Sequence, residues 1–515
     1  MNRYPLGIQT FEKIREENLF YVDKTDLIYN IVKGSKNNFL SRPRRFGKSL
    51  LVTTMQAYFE GKKDLFKGLA IEKLEKEWVK YPVIHIDLSS GKYYEVQRIM
   101  STLDFLLSRY ELKYDITPRD LSGFGDRFNN IIQTAAAQTG QKVVVLIDEY
   151  DAPMLDSNAK PELQEQIRSI MRDFFSPLKA NEGLLRFVFL TGITKFSQLS
   201  IFSELNNIKN YSLDDEYGAI CGFTQEEILS TFHEGIHEMA KANGLTTEQT
   251  VAKMKEQYDG YRFTPHCPNI YNPYSVLNAL HDKKFSNYWF ATGTPTFLLE
   301  LLIKNDIEMP QLEGIVATED QFDSPTDNIG NPIPVLYQSG YLTIKDYDEG
   351  IYTLGYPNEE VRMGLNRSML NYIAPQYGLK TTAFAAQFRA AMRKDDIDTA
   401  MKVLQSFLAA FPYDIHHNRE DYFQAILFTI FITLGFTIHA EVKTARGRID
   451  LLISTKTTIF VMELKIDQSA EKAMEQIDAK DYTLPYKHDG RRIFKVGINF
   501  STEERTVDEW RYEEA

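Results

Sequence analysis

Arg42-Pro43-Arg44-Arg45-Phe46-Gly47-Lys48-Ser49 stands between a short apolar run, Phe39-Leu40-Ser41, and a helical stretch, Leu50–Glu60. A strand, a loop ending Gly-Lys-Ser and a helix form the setting of a phosphate-binding loop. The helix N-terminus offers free N–H groups and a positive dipole end to phosphate oxygens. In that reading Lys48 reaches the β- and γ-phosphates and the Ser49 hydroxyl ligates Mg²⁺. Arg44, Arg45, Phe46 and Gly47 complete the cradle. The pattern calls for a glycine five residues before Gly47, where this chain has Arg42. The loop is therefore stiffer and more cationic than usual.

A second stretch strengthens the first. Val143-Val144-Val145-Leu146-Ile147-Asp148-Glu149 reads as a buried strand ending in two acids. Asp148 is placed to hold the Mg²⁺ shell, and Glu149 to polarise an attacking water as general base. A third run, Phe187–Leu190, leads into Thr191-Gly192-Ile193-Thr194-Lys195. Thr191 and Thr194 are its candidates for sensing the γ-phosphate, with ordinary strand-end turn residues as the alternative.

Around these sites the pattern alternates strands (Phe39–Ser41, Val83–Ile86, Val143–Ile147, Phe187–Thr191) with helices (Leu50–Glu60, Glu95–Tyr110, Glu162–Leu178). Continuous apolar strands separated by helices argue a parallel sheet buried on both faces. From Gly222 the pattern turns helical, opening with a Thr224/Glu227 capping box. Residues 306–360 are rich in Asp, Pro, Gly and Asn, with a short strand at Tyr341–Lys345. A helical stretch at 381–410 precedes a last block. That block reads as a helix (Glu420–Leu434), three strands (Thr437–Val442, Gly447–Ser454, Thr458–Lys465), a helix (Ala470–Tyr482) and a strand (Ile493–Phe500). The expected segments are 1–222, 223–305, 306–413 and 414–515.

The last block carries a second constellation. Asp450 and Glu463 sit on neighbouring strands joined by a turn at Thr455–Thr457, and Lys465 shares a strand face with Glu463. Two carboxylates hold Mg²⁺ with waters and a substrate phosphate. The lysine orients or deprotonates the attacking water and offsets charge on phosphorus. This D…E-x-K arrangement belongs to metal-dependent nucleases. Glu441 is a further candidate acid. Gln476 and Tyr482, on the following helix, are candidates for contacting a substrate phosphate.

Composition sets the limits. The chain has 515 residues, 43% hydrophobic and 25% charged, which is ordinary globular usage. The longest apolar stretch, near Ala425–Phe436, is shorter than the about 20 residues a spanning helix needs. Two cysteines, Cys221 and Cys267, build neither a disulfide framework nor a cysteine-rich zinc site. A cytoplasmic protein with no membrane partner is expected. The net charge is −12, which disfavours non-specific binding to polyanions. Residues 1–70 hold 13 basic and 7 acidic side chains, a +6 balance against −18 for the rest. Arg42, Arg44, Arg45 and Lys48 concentrate that charge, as a phosphate site would. His233-Glu234-Gly235-Ile236-His237 matches H-E-x-x-H, but Gly235 weakens the helix and the histidines only flank an apolar stripe.

The strings Tyr4-Pro5-Leu6-Gly7, Phe20-Tyr21-Val22-Asp23-Lys24-Thr25, Arg42–Ser49, Leu146-Ile147-Asp148-Glu149-Tyr150-Asp151 and Leu190–Phe196 resemble the bacterial AAA-ATPase-like proteins. Gly447-Arg448-Ile449-Asp450, Glu463-Leu464-Lys465 and Ala473–Tyr482 resemble the PD-(D/E)XK nuclease-superfamily domain that commonly follows them. The resemblance makes Arg42 a family trait. It implies an α/β fold in three parts: a P-loop NTPase parallel sheet with flanking helices, a helical or winged-helix-like middle, and a PD-(D/E)XK α/β domain. It implies ATP binding and places Phe20–Thr25 near the adenine. The function expected is an ATPase coupled to a Mg²⁺-dependent nuclease acting on DNA. The alternative is an ATP-regulated switch or scaffold whose nuclease fold binds nucleic acid or protein without cutting. A metabolite kinase would leave the C-terminal carboxylates idle. Arg44 or Arg45 in cis, or a residue from a neighbouring copy in a homo-oligomer, would serve as arginine finger.

Overall fold

The structure is a computed structural model. It describes all residues except 1–2, 90, 118–122, 158–159, 196–207, 291–295, 306, 308, 327–330, 374–377, 409–426, 428, 432–436, 456 and 505. The chain divides into two compact units, residues 1–292 with 316–360, and residues 293–315 with 361–515. The expected segment 306–413 is thus shared between the two.

The first unit is built on a parallel sheet of β1 (Asn37–Ser41), β2 (Val83–Asp87), β3 (Val143–Asp148), β4 (Leu185–Gly192) and β5 (Lys209–Asn210). Their spatial order is β2-β3-β4-β1-β5. Every residue of β3 is buried, as its unbroken apolar run requires of a sheet covered on both faces. The helices Lys48–Phe59, Val96–Lys113, Phe124–Thr139 and Pro161–Phe175 supply the cover. Parallel pairing puts the C-terminal ends of the strands on one edge, with Ser41 beside Gly192 and Asp87 beside Asp148. Ligands of open α/β sheets bind outside that edge. The helix Phe124–Thr139 and the two-residue β5 were not read from the sequence.

The middle is helical, as expected. The Thr224 side chain caps the helix Gln225–Thr231, and Glu227 closes the box. Helices His233–Asn243, Thr247–Tyr258 and Pro273–Asp282 follow and share a core around Phe232, Tyr258 and Leu280. A small sheet of β6 (Ile315–Thr318), β7 (Thr343–Asp348) and β8 (Ile351–Gly355) runs in the order β6-β8-β7.

In the second unit, β9 (Thr437–Thr444), β10 (Gly447–Ser454), β11 (Thr458–Ile466), β12 (Arg492–Ser501) and β13 (Thr506–Glu514) form one sheet in the order β13-β12-β11-β10-β9. Only β11 and β12 are parallel. The helix Ala470–Ala479 makes the crossover that such a pair needs. β13 escaped the sequence reading because its charged half, Asp508-Glu509 to Glu513-Glu514, gives no apolar run. The expected helix Glu420–Leu434 and the apolar stretch Ala425–Phe436 lie mostly outside the described residues. Among the described residues no helix is long and apolar enough to cross a membrane. Cys221 and Cys267 are buried free thiols.

Candidate functional sites

The loop after β1 turns into the helix Lys48–Phe59 through two left-handed residues, Arg45 (φ 68°) and Gly47 (φ 94°). Gly47 takes this conformation without steric cost, and it sits at the N-cap. Lys48 is buried. Its Nζ donates to the Pro43 carbonyl at 3.2 Å and lies 3.4 Å from Glu149 Oε1. Glu149 also holds a left-handed backbone, φ 52°, an uncommon state for a non-glycine residue and one concentrated at functional sites.

Asp148, at the end of β3, is 2% exposed. Its carboxylate is hydrogen-bonded to Ser49, and its Oδ1 has no partner among the described residues. Burial, then the neighbouring Glu149 charge, push its pKa up to about 7. A buried carboxylate oxygen without a donor, beside a hydroxyl, is the hard-oxygen donor set that Mg²⁺ prefers.

A cavity of about 560 Å³ opens over this loop. Arg44, Arg45, Phe46, Gly47, Lys48, Ser49 and Glu149 line it, and Asp148 does not. Phe20, Tyr21, Val22 and Lys24 also line it, alongside Tyr274 and Leu277 from the helical middle. Lys24 is held there by an ion pair to Glu227, and the Arg45 guanidinium lies 4.8 Å over the Tyr274 ring.

Four expectations are corrected here. Arg42 does not join a cluster of phosphate-binding cations. Its buried guanidinium donates to the carbonyls of Ser41, Ser212 and Tyr217 at 2.9, 2.9 and 3.0 Å and lies 4.4 Å over the Phe263 ring. The Phe46 ring is buried against Tyr261 and Phe263, so only its main chain is available to a phosphate. Thr191 spends its hydroxyl on the Leu40 carbonyl at 2.7 Å. Thr194 spends its own on Asp151 Oδ2 at 2.8 Å. Neither threonine lines the cavity: Thr191 is held against Leu40 of the neighbouring β1, and Thr194, past the end of β4, is held by Asp151.

Asp151 is the residue the sequence reading passed over. It is fully buried, and its Oδ2 accepts from the N–H groups of Ile193 and Thr194 as well as the Thr194 hydroxyl. Burial and the Glu149 charge raise its pKa. It ties the turn after β3 to the end of β4. Its signals in the sequence are its place three residues after Asp148 and its membership of the Leu146–Asp151 string.

In the second unit β10 and β11 pair antiparallel through Leu451 and Met462. Asp450 and Glu463 hold the next position on each strand, and such cross-strand neighbours share a face. Asp450 Oδ2 accepts the Leu464 N–H at 2.8 Å. Glu463 is 1% exposed, and Lys465 Nζ lies 3.2 Å from its Oε1. Two carboxylates and a lysine therefore occupy one patch, with oxygen donors suited to Mg²⁺. Among the described residues no group of three or more Asp, Glu, His or Cys is placed to hold a metal. Glu441 lies on β9, and its side chain is outside the described residues. Tyr482 is corrected: it is 2% exposed, and its hydroxyl accepts the Arg448 N–H at 3.2 Å, so it shapes the start of β10. Gln476 is half-buried on the helix Ala470–Ala479. His233 and His237 are both exposed.

Residues 5–202 match a family model described as AAA-ATPase-like, a predicted AAA-ATPase. Residues 418–510 match a model of the PD-(D/E)XK nuclease superfamily. A protein of Azotobacter chroococcum mcd 1, named "Uncharacterized protein in vnfD 5'region", is 32% identical over 519 residues, covering 98% of each chain. Among solved structures, the Aeropyrum pernix ORC2 protein (ADPNP-ADP complexes) is 10% identical, with 67% of this chain and 93% of that one covered and a TM-score of 0.26. Cdc6p from Pyrobaculum aerophilum is 10% identical, with 70% and 94% covered and a TM-score of 0.23. At those scores the structural likeness carries no argument.

Proposed function

The chain belongs to the bacterial family of predicted AAA-ATPases with a C-terminal PD-(D/E)XK nuclease-superfamily domain, and on that premise we propose that it hydrolyses ATP in the first unit and cuts DNA in the second. The observation that carries the first half is that Lys48, Glu149 and Ser49 line one cavity, with Lys48 beside Glu149 and Ser49 hydrogen-bonded to the buried Asp148 behind it.

In this reading the Lys48 ammonium and the N–H groups opening its helix bind the β- and γ-phosphates. Arg44 and Arg45, both exposed at the cavity, add charge toward the transferring phosphoryl. Ser49 and Asp148 would hold Mg²⁺, which when bound would offset negative charge on the phosphates. Glu149 takes a proton from the water that attacks the γ-phosphorus, the bond to the bridging oxygen breaks, and ADP leaves. The Lys48–Glu149 contact keeps the base beside the cation that grips its substrate. The adenine would sit against the wall built from Phe20, Tyr21 and Tyr274.

In the second unit Asp450 and Glu463 would hold Mg²⁺ and with it the scissile phosphate. Lys465 orients the attacking water and offsets the charge gathering on phosphorus. Gln476 is a candidate contact for a neighbouring phosphate.

The test runs wild type, Lys48→Ala and Asp450→Ala side by side for ATP turnover and for cleavage of supercoiled plasmid in Mg²⁺ or Mn²⁺. Lys48→Ala abolishes ATP binding. Asp450→Ala abolishes cleavage and leaves ATP binding intact. A wild type that cuts no nucleic acid in either metal, with or without ATP, ends the nuclease half. ATP turnover without cleavage would mark the chain as a switch or scaffold.

A further inference from the structure

The phosphate loop is held from outside by residues that the nucleotide reading does not use. Trp289 Nε1 donates to the Arg44 carbonyl at 3.1 Å. Gly340, at φ 86°, lies so close to Pro43 that a Cβ on it would stand 2.7 Å from the Pro43 Cβ. The next residue, Tyr341, packs its ring against Trp289 at a centroid distance of 5.2 Å.

Trp289 is fixed in turn. Its main-chain N–H donates to Glu360 Oε1 at 2.7 Å. The other oxygen of Glu360 accepts the Ser275 hydroxyl at 2.6 Å. Ser275 belongs to the helix Pro273–Asp282, whose Tyr274 and Leu277 line the cavity. Glu360 is 1% exposed. It therefore gathers, in one buried carboxylate, the residue that grips the loop and the helix that walls the cavity.

The position of this carboxylate along the chain gives the arrangement its meaning. The chain passes between its two units at 292–293, 315–316 and 360–361. Trp289 stands three residues before the first passage, and Glu360 is the last residue before the third. Glu360 also lies in the first turn of the helix Glu359–Ile373, which continues into the second unit.

We infer that Trp289 and Glu360 are positioning residues that couple the state of the phosphate loop to the two chain passages at 292–293 and 360–361. This rests on the nucleotide reading above. The physical reason is that neither end can give way alone. A buried carboxylate that loses its donors carries its full desolvation cost, so a shift of the Arg44 carbonyl moves Trp289 and Glu360 together. Coupling of this kind runs through contiguous packed and hydrogen-bonded groups, and Arg44, Trp289, Glu360 and Ser275 are joined in that way by three hydrogen bonds.

The experiment is hydrogen exchange on the full chain with and without Mg-ATP, read in peptides covering 284–290 and 361–373, with ATP binding measured separately by equilibrium titration. In the wild type ATP changes exchange in both peptides. Trp289→Phe removes the indole donor and keeps an aromatic ring against Tyr341. It still titrates with ATP but loses the change in 361–373. Should its melting curve show that it is unfolded, Ser275→Ala, which takes one donor from Glu360, replaces it with the same expected loss. A wild type that binds ATP with no change in 361–373 overturns the coupling and leaves the nucleotide reading standing. A folded variant that keeps the full change overturns it as well. A wild type that fails the titration removes both readings, and the titration alone reports that.

Discussion

Arg42→Gly would give the loop the glycine that the usual phosphate-loop pattern calls for, and it is expected to damage the protein. The Arg42 guanidinium donates three hydrogen bonds to carbonyls of Ser41, Ser212 and Tyr217. Leaving three buried acceptors without donors costs about 1–3 kcal/mol each. Loss of the stacked contact on Phe263 adds roughly 0.5–2 kcal/mol, and a glycine in a fixed conformation adds about 1 kcal/mol. Against this stands relief from burying a cation. Burial lowers the Arg42 pKa, and among the described residues no carboxylate pairs with it, so that relief is on the order of several kcal/mol. The balance is a net loss of a few kcal/mol, toward the large end for single substitutions. The assay is urea unfolding followed by tryptophan fluorescence in a Trp510→Phe background, which leaves Trp78 and Trp289, both in the first unit. The midpoint should fall by about 1 M or more for an m-value near 3 kcal/mol/M. Arg42→Lys, which keeps the charge but reaches fewer carbonyls, should fall between. An Arg42→Gly protein with an unmoved midpoint and equal or tighter ATP binding would refute the assignment of Arg42 as an internal pin.

Three further outcomes separate structural from catalytic roles. Thr191→Val and Thr194→Val each remove one buried hydrogen bond, so unfolding should show a loss of about 1–2 kcal/mol, with ATP turnover changed less than about threefold; a hundredfold loss of turnover at full stability would restore a sensing role. Glu360 has its pKa raised to about 7 by burial, so the folded chain keeps a proton that the unfolded chain releases between about pH 4.5 and 7. Stability therefore falls as pH rises through that window, by up to roughly 3 kcal/mol. Melting of wild type and Glu360→Gln at pH 5 and pH 8 checks the sign, because the variant gains on the wild type at the higher pH. Tyr482→Phe takes the acceptor from the Arg448 N–H and should cost about 1 kcal/mol, while plasmid cleavage persists; abolished cleavage in a stable variant would return Tyr482 to the substrate.

The parallel sheet was legible because burial on both faces leaves a signature, the unbroken apolar run of Val143–Ile147, that needs no knowledge of what packs on it. The capping box at Thr224 and Glu227 was legible for a similar reason, since its partners are three residues apart. Strand ends in the second unit followed from local turns, so Asp450 and Glu463 fell on adjacent strands as expected. What failed was side-chain direction at strand ends. Thr191 and Thr194 carry the right chemistry for a γ-phosphate, but pairing with β1 sets Thr191 against Leu40, and the buried Asp151 takes the Thr194 hydroxyl. Arg42 carried the right charge for a phosphate, and only the carbonyls of Ser212 and Tyr217, about 170 residues away, decide otherwise. Partners that distant leave no trace in a local pattern. Trp289 and Glu360 were unreadable on the same ground.

The two centres share one electrostatic form, and it bears on why each is retained. Lys48 is 3% exposed and lies 3.4 Å from Glu149, whose side chain is 20% exposed. Lys465 lies 3.2 Å from Glu463, which is 1% exposed. Neither pair is bidentate, and each lysine also donates to a main-chain carbonyl, Pro43 in one case and Leu464 in the other. Buried pairs of this kind add little to stability, since desolvation offsets most of the attraction and apolar replacements of similar volume are often as stable. Folding alone therefore does not account for them. On the reading proposed above, a lysine largely withdrawn from water would bind a phosphate oxygen while its acid stays beside it. The same pairing recurs in two unrelated sheets, one parallel and one mixed, and on the proposed reading it would serve negative charge gathering on phosphorus in both.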